Sequence, residues 1–214
     1  AGFRKAAPDE IPVVVCNPHP YEAEDTFEAE FMLWDQGWDD NVKYPHLYDE
    51  AGNELPCQQE KELSNIPIDW RKRIAFRAKV PAPSTRKASS TVIYFCKFEN
   101  TKKQPVEQLP VDEATGDLLF ENQRMSVRIS GKTGLIVSVK TDGTELLGDG
   151  ACRLDVIRDN CDPWGMTVHS YRDLEGSFGL VGAEEAGRFC AIDHPIEPVR
   201  VIENGKVRTV VEAV

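Results

Sequence analysis

The sequence predicts an all-β chain folded as a β-sandwich. Three observations point there: short runs alternate apolar and polar residues, prolines and glycines punctuate those runs, and no stretch sustains the 3.6-residue period of an amphipathic helix. Residues 118–147, LLFENQRMSVRISGKTGLIVSVKTDGTELL, show the pattern most clearly. Alternating runs and a closing Leu146-Leu147 are separated by glycine-bearing turns, which reads as a β-meander.

In chain order, residues 11–16 (IPVVVC) form a β-branched run that stops at Pro18 and Pro20, both lacking a donor N–H. Across residues 26–34, Phe27, Ala29, Phe31 and Leu33 share one face, with Glu28, Glu30 and Met32 on the other. A polar loop is expected at 35–41 and a strand interrupted by Pro45 at 44–48. A turn follows at 49–53 (DEAGN), then a short strand at 55–60 whose Pro56 marks an edge. Residues 71–80 place Ile74, Phe76, Ala78 and Val80 inward and Arg73, Ala75, Arg77 and Lys79 outward. Residues 91–98 (TVIYFCKF) are almost wholly apolar, as in a strand covered on both faces. The polar, proline-bearing run 99–115 reads as a linker, which divides the chain into domains 1–105 and 106–214.

In the second half, Met125, Val127 and Ile129 form one face, with Ser126, Arg128 and Ser130 opposite. A slip of one residue would expose that apolar face, so the register is specified. Residues 131–134 (GKTG) make a turn, Leu135, Val137 and Val139 resume the buried face, and Asp142-Gly143 makes a second turn. A further run at 153–158 leads into the irregular, aromatic-bearing stretch 159–175. Asn204-Gly205 between Val-rich runs is the strongest hairpin signal. The last run, 207–214, is apolar to its final residue and is expected to be a strand cut off in mid-course.

A chain of 214 residues can bury a core without disulfides or a metal. Its 41% hydrophobic and 29% charged residues exclude disorder. A net charge of −11 makes nucleic acid and anionic membranes poor partners. No apolar run approaches the ~20 residues of a membrane span, and no basic-then-apolar signal segment opens the chain. The six cysteines, at 16, 57, 96, 152, 161 and 190, contain no CxxC pair, and no histidine is spaced to complete a zinc site. Three disulfides are one reading of the even count. Without a signal segment, reduced thiols in the cytoplasm are the expectation, with Cys57 and Cys96 buried.

One segment has the composition of a sugar-binding surface. Asp162 and Trp164 stand close to His169, Tyr171 and Arg172. An indole stacks on the apolar C–H face of a pyranose while such polar groups take its hydroxyls. The blander alternative is that Trp164 plugs the core or packs against another domain, and Trp34 and Trp38 read the same way. Residues 182–187 (GAEEAG) are not a phosphate loop, because they lack a lysine and bring two carboxylates.

Four stretches, in order, resemble the C-terminal β-region of glycoside hydrolase family 38, the α-mannosidases. Residues 13–18 (VVVCNP) resemble its opening strand, with Cys16 where an aromatic is commoner. The meander is similar at Glu121-Asn122, Thr133-Gly134, Ser138 and Leu146-Leu147. Residues 161–166 (CDPWGM) look like its DPW-type segment, and residues 201–213 like a later strand pair, with Lys206 in place of the usual proline. The resemblance implies a small β-sandwich followed by the start of a galactose-mutarotase-like supersandwich. That fold raises one acid/base possibility, His169 or His194 working with a carboxylate on a sugar hydroxyl, which geometry decides, since sequence does not place His169 near Glu184 or Glu185. The resemblance also implies a parent enzyme whose β/α barrel and helical bundle are this region's partners, together with mannose-containing oligosaccharide. Such a barrel carries the Asp nucleophile, the acid/base carboxylate and the ligands of a divalent metal, expected to be zinc, for retaining hydrolysis of terminal α-mannosides. None of those motifs occurs here, so no catalytic residue, metal ligand or cofactor is assigned to this chain. The expected sugar contacts are Asp162, Trp164, His169 and Arg172. A free-standing carbohydrate-binding β-sandwich is the alternative, and a structural or oligomerisation domain a third reading.

Overall fold

The computed structural model describes residues 4–34, 41–61, 71–83, 90–102, 104–159, 164 and 170–214. These residues are mostly strand, in several antiparallel sheets, with one short helix among them. The chain forms two compact units: Ala1–Val106 with Glu203–Val210, and Glu107–Ile202 with Val211–Val214. No helix among the described residues is long and apolar enough to cross a membrane.

The first unit holds β1 (Ile11–Asn17), β2 (Ala23–Met32), β3 (Asn41–Tyr48), β4 (Glu54–Leu55), β5 (Cys57–Glu60), β6 (Arg71–Val80) and β7 (Ser90–Lys102). They make two sheets, ordered β1-β7-β3-β4 and β2-β6-β5. Alternation along β1 sends Val13 and Val15 inward, and β2 pairs Phe27 with Phe76 and Ala29 with Ile74. Inward residues of both sheets share one core, which contains Val13, Phe31, Leu47, Ile74, Phe76, Val80 and Tyr94. Edge-on rings tie the sheets together: Phe76 to Tyr94 at 5.7 Å and Phe31 to Phe98 at 5.3 Å between centroids.

Several expectations need correction here. Pro45 does not interrupt its strand; it is fully buried inside β3, opposite Phe98. β4 meets β3 only at Leu47 and Tyr48, so at Pro45 a missing N–H costs no second ladder bond. Residues 55–60 are not one strand, because Pro56 is the corner where the chain passes from one sheet to the other. β7 runs on to Lys102, through residues expected to be linker, because Glu99–Lys102 continue to pair with Asn41–Tyr44. Ala75, expected outward in water, is fully buried. It lies opposite Gln58, whose outer face is covered by residues of the 203–210 segment.

Tyr94, Phe95 and Cys96 are buried in succession, so the middle of β7 is covered on both faces. The outer cover is the segment preceding β1. The Arg4 guanidinium lies 3.4 Å from the Phe95 ring centroid and is held there by Glu10, whose carboxylate also accepts the Ala7 N–H.

The second unit begins with β8 (Leu118–Glu121), β9 (Met125–Ile129), β10 (Ile136–Thr141) and β11 (Thr144–Glu145), in the sheet order β11-β10-β9-β8 of a meander. After β12 (Asp155–Ile157) and β13 (Leu174–Ser177) come α1 (Ala183–Phe189), β14 (Val199–Asn204) and β15 (Thr209–Ala213), and β12 pairs with β13 as β14 does with β15. The core is small: Leu109, Leu118 and Val201, with Phe120, Ile129, Val199 and Val211 packed against them.

The expected Leu135/Val137/Val139 face holds at Leu135 and Val139 and fails at Val137. A register shift between Ile136 and Ser138 sets Ile136 opposite Ile129 and Val139 opposite Val127, and leaves Val137 half in solvent. The helix α1 was also missed. Seven residues are two turns, too few to display a period, and its buried residues are only Ala186 and Gly187. Gly187 is required there, because a Cβ would lie 2.3 Å from the His194 carbonyl oxygen.

Candidate functional site

The four residues expected to touch sugar are not all placed. Asp162 and His169 lie outside the described residues. Trp164 is 81% exposed and so does not plug a core, and Arg172 is exposed as well. Tyr171 is 57% exposed beside Arg172 in the sequence. The structure therefore offers an exposed indole and an exposed guanidinium in the second unit, without a geometry that joins them. Trp34 is fully exposed, and Trp38 lies outside the described residues.

Of the two histidines of the acid/base possibility, His169 lies outside the described residues and only His194 is placed. His194 Nδ1 lies 3.1 Å from the carboxylate of its neighbour Asp193, and its ring is largely exposed. Glu184 and Glu185 occupy the exposed first turn of α1, where negative charge suits the helix dipole, and neither bonds to His194. The 182–187 segment is accounted for by the helix: Gly182 is its N-cap residue and Gly187 its close-packed last turn.

The most fully built polar constellation lies on the outer face of β5 and β6 in the first unit, and sequence inspection did not find it. Glu60, its side chain 1% exposed, receives Arg208 Nε at 2.6 Å, and a second Arg208 nitrogen closes the bidentate pair. Arg208 also reaches Glu28 at 2.6 Å, and Glu28 is bonded to Arg73 in turn. Gln58 takes the Val207 and Arg208 N–H groups on its Oε1 at 2.9 Å and donates from Nε2 to Glu60 and to the Arg208 carbonyl at 3.0 Å. Arg73, then Arg208, hold the Glu28 carboxyl below its ordinary range, and Glu60, outweighing desolvation, raises the Arg208 guanidinium. Burial pushes the nearby Glu203 carboxyl up.

This constellation is saturated. Each carboxylate is met by a guanidinium and each Gln58 polar atom has a partner, so its chemistry is to hold the 203–210 loop in place. It also explains why Asn204-Gly205 does not make the expected two-residue turn. β14 ends at Asn204 and β15 begins at Thr209, leaving a four-residue loop closed by the Gly205 N–H on the Arg208 carbonyl at 3.2 Å. The sequence signal available was Gln58 and Glu60 at i and i+2 in an otherwise packed strand. Their partner lies about 150 positions away, beyond any local pattern.

A second cluster, in the second unit, is also structural. Arg128 Nη2 meets Asp117 at 2.9 Å, Asp112 at 3.3 Å and Thr115 Oγ1 at 3.3 Å. The guanidinium occupies the position a cation would take in this acidic turn. Among the described residues no group of three or more His, Cys, Asp or Glu side chains is arranged to hold a metal ion. Cys16, Cys57, Cys96, Cys152 and Cys190 carry free thiols, and Cys161 lies outside the described residues. Burial pushes the Cys96 thiol up to about 12.

One cleft of about 450 Å³ opens in the first unit between β1 and β2. Its side chains are apolar except for Glu28 and Glu30. Among the described residues that line it, no nucleophile and base are in hydrogen-bond contact. No protein-family model and no curated protein matches the chain.

Proposed function

We propose that this chain is the non-catalytic β-region of a family 38 α-mannosidase, a scaffold that supports a catalytic barrel carried elsewhere in a longer protein. The observation that carries the reading is the ordered set of four resembling stretches, above all the meander of residues 118–147 with Glu121-Asn122, Thr133-Gly134, Ser138 and Leu146-Leu147 in step. In this reading residues 1–105 are a small β-sandwich and residues 106–214 the start of a galactose-mutarotase-like supersandwich. The two sheets that share one core in the first unit suit the former assignment. The parent would cleave terminal α-mannosides with retention, using two carboxylates and a divalent metal, zinc, all in the barrel. The described residues, whose polar clusters are closed ion pairs, would supply none of these groups. The partners would be the barrel, the helical bundle and mannose-containing oligosaccharide, in the cytoplasm.

The test is hydrolysis of an aryl α-mannoside. The isolated chain is expected to be inactive, and a longer protein that includes the preceding segment active with a divalent metal. Turnover by the 214-residue chain alone would overturn the reading.

A second reading, a free-standing carbohydrate-binding module, is favoured by the 81% exposure of Trp164. An indole left in water is unusual for a residue with only a packing role and suits stacking on a sugar. Calorimetry with mannose oligosaccharides separates the two readings. Binding by the isolated chain that disappears in Trp164→Ala supports the module, and no heat from either protein removes it.

A further inference from the structure

The cleft between β1 and β2 has a feature that neither reading of the function uses. Among the described residues, β1 pairs only with β7 and β2 only with β6. Each strand therefore keeps one row of main-chain N–H and C=O groups outside any ladder, and both are edges of the same opening. The space between them is lined by Val13 and Val15 of β1, by Phe27, Ala29 and Phe31 of β2, and by Phe76. At their other margin the sheets are tied: Pro56 carries the chain from β4 to β5, and the Cys57 thiol donates to the Pro45 carbonyl at 3.4 Å. The unit is closed on one side and open on the other.

The two edges are not equivalent. β1 contains Pro12, which removes a donor and is a common guard on an edge strand. β2 is ten residues long and has no proline. Its outer face carries Glu24, Glu28 and Glu30. Glu24 pairs with Arg77 at 3.3 Å and Glu28 is held by Arg73 and Arg208, whereas exposed Glu30 has no ion-pair or hydrogen-bond partner among the described residues. No cation lines the cleft. In a chain of net charge −11, the unpaired Glu30 carboxylate on this edge opposes pairing of β2 with a second copy of itself and favours a strand that brings a cation.

We propose that the free edge of β2 binds an extended basic peptide by strand addition. The main chain of the peptide would pair with β2 and continue the sheet. Its alternate apolar side chains would enter the cleft against Phe27, Ala29 and Phe31, and an intervening lysine or arginine would stand beside Glu30. The part of β2 that lines the cleft, residues 27–31, is about 17 Å long at ~3.3 Å per residue, which suits a segment of about five to seven residues.

The experiment titrates the 214-residue chain with acetylated, amidated Lys-Val-Lys-Val-Lys-Val-Lys, read by fluorescence anisotropy and by amide NMR shifts. Saturable binding is expected, with the largest shifts in β2. Glu30 makes no bond that the fold uses, so Glu30→Lys, which sets a lysine opposite Arg73 in the ladder, should lower the melting temperature only slightly while affinity falls about three- to tenfold. The reversed peptide Glu-Val-Glu-Val-Glu-Val-Glu should then bind the variant better than the parent. A block peptide, Lys-Lys-Lys-Lys-Val-Val-Val, and a peptide N-methylated on alternate residues should both bind poorly, since one lacks the alternation and the other the strand hydrogen bonds. No saturable binding, or equal binding of the block and N-methylated peptides, overturns the proposal. So does binding that ignores Glu30→Lys and shifts amides elsewhere. None of these outcomes depends on mannoside hydrolysis or on Trp164, so this proposal and the proposed function fail separately.

Discussion

Asn17 shows how much one polar side chain can decide. It is 2% exposed, and its Nδ2 donates to the carbonyls of Tyr21, Pro81 and Val80 at 2.8, 3.0 and 3.2 Å, while its Oδ1 accepts the His19 N–H at 2.9 Å. It thereby joins the end of β1 to the end of β6 at a point where Pro18 and Pro20 prevent a ladder from doing so. Asn17→Ala leaves one buried and two partly buried carbonyls short of a donor and should destabilise the first unit by about 2 kcal/mol in urea unfolding. A change below about 0.5 kcal/mol would mean that water replaces the amide. At this scale the sequence was legible where alternation ruled: Ile74, Phe76, Ala78 and Val80 are buried as their spacing required. It was not legible at Ala75, Gln58 and Glu60, whose burial depends on a loop about 150 residues further along the chain.

At the scale of elements, the two dipeptide turn signals had opposite outcomes. Asp142 and Gly143 both adopt positive φ, 49° and 80°, and join Thr141 directly to Thr144. That is the two-residue hairpin the dipeptide favours, with a backbone twist that matches its strands. Asn204-Gly205 carries the same local preference, yet Gln58 captures the Val207 and Arg208 N–H groups and opens the loop to four residues. Several hydrogen bonds to a buried glutamine outweigh a turn propensity. Gly134 shows both influences at once. Its φ is 69°, and a Cβ would approach Ala213 Cβ and Leu180 Cδ2 to 2.8 Å. Gly134→Ala should therefore lower the stability of the second unit by about 2 kcal/mol, seen as an earlier thermal transition, and more if the contacts do not relax. An unshifted transition would show that the turn can be rebuilt.

At the scale of the whole molecule, the two units differ in how much apolar surface they enclose. The first gathers eleven buried residues into its core cluster and the second three. The second also exposes Leu154, Phe178 and Phe189. Burial of apolar area dominates stability, so amides of β6 and β7 should exchange with deuterium about tenfold or more slowly than those of β9 and β10. Equal protection would mean that stability here follows the ladders and not the cores.

What the sequence determined by itself was local and periodic. Alternation in β2 and β6 set which side chains face the core, Asp142-Gly143 set a turn, and the scarcity of 3.6-residue periods set the predominance of strands. These follow from side-chain direction and backbone sterics, which act over a few residues. The tertiary structure alone decided that Pro56 divides one expected strand between two sheets and that a bulge turns Val137 outward. It also decided that Arg208 closes on Glu60, and that β1 and β2 stand as unpaired edges of one cleft. Each of these depends on segments brought together from distant positions, and hydrogen-bond demand and packing between them override a local preference worth at most about 1 kcal/mol per residue.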